Sequence, residues 1–122
     1  MTSSLSSPKF ASTVYVFLDA IDRHHRGKTE LDPVWVVQSL TRLGVPARIT
    51  TDQRLELLLG PDVCVALMED ETRTPPAYVP VVDLAYALYR YCFGEPLKPL
   101  GSPSVSSAMR YCMREFEARL TE

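Results

Sequence analysis

Proline and glycine divide this chain into short segments, and their positions limit the possible folds more than any other feature of the sequence. Proline is tolerated in the first turn of a helix but not in its interior, and glycine commonly ends a helix. A side chain that can cap a helix comes directly before proline at Ser7-Pro8, Asp32-Pro33 and Ser102-Pro103. We therefore expect several short helices with stiff connections and no long helix.

The apolar residues of the first segment follow a helical spacing. Phe10, Val14, Phe17 and Ile21 are four, three and four residues apart, which predicts a helix from Pro8 to about His25 with Gly27 as its stop. The run Val14–Phe17 is also rich in residues that favour strands, so a strand is the alternative there. The same reasoning predicts helices from Pro33 to before Gly44, from Pro80 to Phe93 and from Ser102-Pro103 to about Leu120.

Residues 47–68 allow two interpretations. In the first, Thr50-Thr51-Asp52-Gln53 is a capping box that starts a helix ending at Gly60, and a second short helix follows from Pro61 to Glu69. In the second, the segments 48–50, 54–59 and 63–68 form a β-meander with turns at Asp52 and at Pro61-Asp62. The capping box favours helices.

The whole chain is the size of one domain. It has 122 residues, of which 46% are hydrophobic and 23% charged, as in an ordinary globular protein. We expect a flexible tail over residues 1–7 and a single compact domain over 8–121. The predicted class is all-α with about five helices, and the alternative is α+β with a small meander at 47–68.

Features that direct a chain to a membrane or to secretion are missing from the sequence. No long uncharged apolar run occurs, and the first seven residues lack the basic start and apolar core of a signal peptide. The three cysteines, Cys64, Cys92 and Cys112, are widely spaced and odd in number. This pattern predicts free thiols and a cytoplasmic protein that does not bind membranes.

Motifs for catalysis are also missing. The two histidines, His24 and His25, are neighbours and point about 100° apart on a helix, so the solvated end of a helix explains them better than a metal site. No glycine-rich phosphate loop and no nucleophile motif occurs. We therefore expect a protein that is not an enzyme and that uses no cofactor or metal ion.

The segment 80–93 is apolar on nearly all sides. A helix without a polar face is either central in its own domain or shared with a partner. Tyr86, Tyr89 and Phe93 are candidate anchors in a protein interface, and Arg90 is a candidate directional contact. The predicted function is a small regulatory protein that buries this Tyr-rich face in another protein, such as a transcription factor or an enzyme that it inhibits, and that also forms a homodimer.

The alternative function is DNA binding by a degenerate helix-turn-helix at residues 33–59. Arg42, Arg48 and Arg54 are its candidate DNA-contacting residues. The charge of the region weighs against it, because six acidic residues and only two arginines lie between Asp52 and Arg73. A net negative charge there repels phosphates.

Overall fold

The structure, a computed structural model, describes residues 8–24, 30–58, 63–69, 71–72, 77–98, 101 and 104–121. Within these ranges the chain forms four α-helices and two three-stranded antiparallel sheets. The helices are α1 (Pro8–His24), α2 (Pro33–Arg42), α3 (Val81–Phe93) and α4 (Val105–Leu120). The strands are β1 (Glu30–Leu31), β2 (Ala47–Ile49), β3 (Arg54–Leu57), β4 (Val63–Ala66), β5 (Met68–Glu69) and β6 (Ala77–Pro80).

The all-α prediction is wrong, and the α+β alternative fits. The predicted meander is present as the sheet β2-β3-β4, in which Arg48 lies opposite Glu56 and Glu56 lies opposite Cys64. Burial alternates along β4: Val63 and Val65 face the core while the residues between and after them are exposed. This period of two is the signature of a strand with one buried face.

The four residues that suggested a capping box form the turn between β2 and β3. The Gln53 N–H donates to the Thr50 carbonyl at 3.2 Å, and the Thr50 N–H donates to the Arg54 carbonyl at 2.8 Å. Gln53 has a φ of 62°, as in a three-residue hairpin loop that ends on a left-handed residue. The Thr50 hydroxyl accepts the Arg54 N–H at 3.1 Å, because side chains that cap helices also stabilise turns.

The second sheet has the order β1-β6-β5 and was not predicted. Its strands have only two to four residues, too few for a periodic pattern to identify. The two sheets are joined at Leu67, which lies between β4 and β5 and donates its backbone N–H to the Gln53 carbonyl at 2.9 Å.

Several predicted helix boundaries are confirmed. An Asp32 carboxylate oxygen accepts the Val34 N–H at 2.9 Å and caps α2. Gly94, with a φ of 78°, follows α3 and donates its N–H to the Arg90 carbonyl. The start of α4 differs from the prediction, because its N-cap is Ser104 and not Ser102, and the helix begins at Val105. The predicted caps Ser7 and Ser102, the tail 1–7, and His25 and Gly27 lie outside the described residues.

The apolar character of α3 follows from its central position. It packs against two helices, α1 and α4, and against two strands, β4 and β6. Leu84, Leu88 and Cys92 are fully buried. The Tyr91 hydroxyl donates to the Leu58 carbonyl at 2.6 Å and links α3 to the residue after β3. In the part of the chain that the structure describes, no helix is long and apolar enough to cross a membrane.

Candidate functional site

Two of the aromatic residues predicted as interface anchors on α3, Tyr89 and Phe93, pack mainly against other residues of the same chain. Tyr89 is only 5% exposed, and its ring lies 4.8 Å from that of Phe93 and 5.4 Å from that of Phe116, between ring centroids. The Arg119 guanidinium covers the rings of Tyr89 and Phe93 at 5.9 and 5.3 Å, and its Nε donates to the Tyr89 hydroxyl. These contacts join α3 to α4.

The other two residues predicted on α3 lie at the surface. Tyr86 is half-buried and meets the ring of Tyr111 edge-on, with centroids 6.5 Å apart. Arg90 is exposed in the last turn of α3. The four predicted interface residues therefore do not form one exposed surface.

The helix-turn-helix alternative lacks its second helix, because residues 47–57 are strands β2 and β3 and their turn. Arg48 and Arg54 share the exposed face of that sheet, and Arg42 lies apart at the end of α2. Arg48 forms an ion pair with Glu56 at 2.8 Å, and Arg54 with Asp52 at 3.5 Å. The structure therefore does not combine the three arginines into one basic surface.

The buried cysteines have the properties of core residues. Burial raises the pKa values of Cys92 and Cys112 to about 12, so both are neutral thiols at neutral pH. The Cys112 thiol donates to the Ala85 carbonyl at 3.5 Å. Cys64 is exposed on β4.

His24 is the exposed last residue of α1, as predicted. Among the described residues, no group of three or more histidines, cysteines or carboxylates is placed to hold a metal ion.

Large exposed apolar side chains are concentrated on α1 and α2. Val16 is 64% exposed, Val34 62% and Trp35 38%. The Trp35 ring packs on Phe17 at a centroid distance of 5.9 Å, which brings the two helices together at this point. Val16 and Val34 are the sequence neighbours of these two stacked residues, and both are exposed. We call Val16, Phe17, Val34 and Trp35 the Trp35 patch.

The amphipathic pattern of α1 and α2 explains why the Trp35 patch is exposed. The core side of α1 is occupied by Val14, Leu18 and Ile21, and the helical period turns Val16 away from it. In α2 the buried residues are Pro33, Val36 and Leu40, and Val34 and Trp35 between them are exposed. Val16 lies outside the apolar stripe predicted for α1, and Trp35 lies outside the helical spacing of Val36, Leu40 and Leu43 in α2. These two positions are the sequence signal that could have identified this surface.

Polar residues border the Trp35 patch. On α1, Asp19 and Arg23 follow Val16 on the same helix face and form an ion pair at 2.9 Å. On α2, the exposed Gln38 follows Val34 by one turn. An apolar centre with a polar border carrying both charges is typical of protein interfaces.

Comparisons with protein-family models, with curated proteins and with solved structures found no match to this chain.

Proposed function

We propose that this chain is a small non-catalytic regulatory protein that acts by binding another protein through the Trp35 patch. The expected partner is a transcription factor or an enzyme that the chain inhibits. The same patch also joins two copies of the chain in a homodimer. The observation that carries the proposal is the exposure of Val16, Val34 and Trp35 on two helices that meet through the contact of Phe17 with Trp35. They are three of the four large apolar residues that are exposed in the described chain.

The chemistry of the patch supports a contact role. Tryptophan is among the residues most enriched at the centres of protein interfaces, where a few anchors supply most of the binding energy. Packing on Phe17 restricts the Trp35 ring before a partner arrives, which lowers the entropy cost of binding. The border supplies one acidic and one basic residue, Asp19 and Arg23, so two copies meet without net repulsion.

Loss of the anchor is expected to weaken association. Trp35→Ala removes the central ring, and we expect the dissociation constant of the self-association, measured by sedimentation equilibrium, to rise about 30-fold. Val34→Ser keeps the ring and is expected to weaken association less. Trp35 is the single tryptophan, so its emission reports burial directly: in the wild-type chain the emission maximum should shift to shorter wavelength as the protein concentration increases.

Met68→Ser is the matched control, because Met68 is 49% exposed but lies on β5 and not on the two helices that carry the patch. It should associate as the wild type does. In cell extracts, a stoichiometric partner should be retained by the wild type and by Met68→Ser and lost from Trp35→Ala. Equal association or equal retention by all three proteins would contradict the proposed surface, provided that circular dichroism shows each variant folded.

A further inference from the structure

A groove of about 400 Å³ lies between α1 and α4. Tyr15 contacts Glu117 near the end of α4, and Asp22, two turns further along α1, also lines the groove. The side chains that matter to its chemistry are Tyr15, Asp22, Arg110, Met113, Arg114 and Glu117.

Two arginines point into this groove without a partner. Arg110 and Arg114 are one helical turn apart on α4, so their side chains project from the same face. Both are exposed, and neither forms an ion pair or hydrogen bond with a residue that the structure describes. Two adjacent guanidinium groups can bind one carboxylate or phosphate in a forked geometry.

The contact between Tyr15 and Glu117 explains why Arg114 forms no ion pair with Glu117. Glu117 follows Arg114 by three residues, a spacing at which the two side chains commonly pair on a helix. Instead, the Glu117 carboxylate accepts the hydroxyl of Tyr15. This hydrogen bond, together with burial, raises the pKa of Tyr15 to about 12, so the hydroxyl remains a donor at neutral pH.

The remaining lining limits the kind of ligand. Met113 is almost buried, and with the Tyr15 ring it supplies an apolar wall beside the two guanidinium groups. The volume is in the range of small-molecule sites. Asp22 and Glu117 balance the two positive charges, so the groove has no net positive charge to attract a polyanion such as nucleic acid. A single anionic group can still be held by the two adjacent guanidinium groups.

We propose that this groove binds a small organic oxyanion, with one carboxylate or phosphate group held by Arg110 and Arg114 and an apolar body against Met113 and Tyr15. The site is separate from the Trp35 patch, and its test does not depend on a protein partner.

The test is a titration of the ¹⁵N-labelled full chain, observed by NMR, with phenyl phosphate, benzoate and inorganic phosphate at constant ionic strength. We expect saturable shifts of the Nε–Hε signals of Arg110 and Arg114. At least one of the two aromatic probes should bind more tightly than inorganic phosphate, because only those probes use the apolar wall. Which aromatic probe binds more tightly identifies the head group.

Variants make the test specific. Arg110→Gln and Arg114→Gln should each weaken binding about tenfold. Tyr15→Phe should also weaken it, because it releases Glu117 to pair with Arg114, and Asp22→Asn should strengthen it. Arg90→Gln, an exposed arginine on α3, is the matched control and should change nothing.

Three results would overturn the proposal. The first is shifts that grow linearly without saturation, and the second is an equal loss of binding in Arg90→Gln. The third is co-sedimentation with vesicles that contain phosphatidic acid without saturable binding of the soluble probes, because it would assign the arginines to a lipid surface.

Discussion

Replacement of Phe116 by alanine is expected to lower the free energy of unfolding by about 3–5 kcal/mol. Phe116 is fully buried, and its ring meets those of Tyr15, Tyr89 and Phe93. The truncation leaves a cavity where α1, α3 and α4 converge, and these helices cannot close it without losing their other contacts. Urea denaturation followed by circular dichroism measures the loss as a fall in the midpoint without a change of slope.

The same experiment decides how α3 uses its aromatic residues. Tyr89→Ala should also destabilise the chain, because Tyr89 packs on Phe116 and accepts a hydrogen bond from Arg119. Phe93→Ala should cost less, because Phe93 is only half-buried. If Tyr89→Ala and Phe93→Ala left the midpoint unchanged but abolished binding to a partner, the aromatic face of α3 would be the interface, and the assignment of contact to the Trp35 patch would be wrong.

Val65→Asp is expected to abolish cooperative folding. Val65 is buried in β4, opposite Leu55 of β3, and a carboxylate there would lose its hydration without gaining a partner. The cost is several kcal/mol, comparable with the whole stability of a small domain of about 5–15 kcal/mol. Thermal unfolding by circular dichroism should show no transition, and the dispersion of amide signals in an NMR spectrum should collapse.

Ala66→Asp is the matched control. Ala66 is the next residue along the strand, is exposed, and lies opposite Arg54. We expect its unfolding free energy to stay within about 0.5 kcal/mol of that of the wild type. Similar losses in Val65→Asp and Ala66→Asp would be incompatible with a strand that has one buried face, and they would reopen the helical interpretation of residues 47–68.

The errors in the sequence-based interpretation have specific physical causes. The run from Thr50 to Gln53 carries hydroxyl and carboxylate side chains that stabilise a helix start and a hairpin turn by the same kind of hydrogen bond. Local chemistry therefore could not separate the two interpretations. The pairing of β3 with strands on both sides did, because it joins residues that are up to twelve positions apart.

The predicted interface residues on α3 are a second case in which the local sequence pattern could not decide the structural role of a segment. The spacing of apolar residues predicted correctly that the segment ending at Phe93 is a helix, and it left open whether that helix is central or shared with a partner. Its central position emerged only when α4 and the strands were placed around it. The exposure of Trp35 could be inferred from its place outside the helical spacing of Val36, Leu40 and Leu43, but its packing on Phe17 could not.

The sequence by itself identified the four segments that form α1 to α4 and the caps of α2 and α3, because caps, glycine stops and a period of 3.6 act within a few residues. Asp32 before α2 and Gly94 after α3 are examples. Only the tertiary structure decided that residues 47–57 pair as strands and that α3 is surrounded by other helices and strands. It also decided that Glu117 accepts a hydrogen bond from Tyr15 and does not pair with Arg114. Each of these depends on contacts between residues distant in the chain, and no local pattern encodes which distant segments meet.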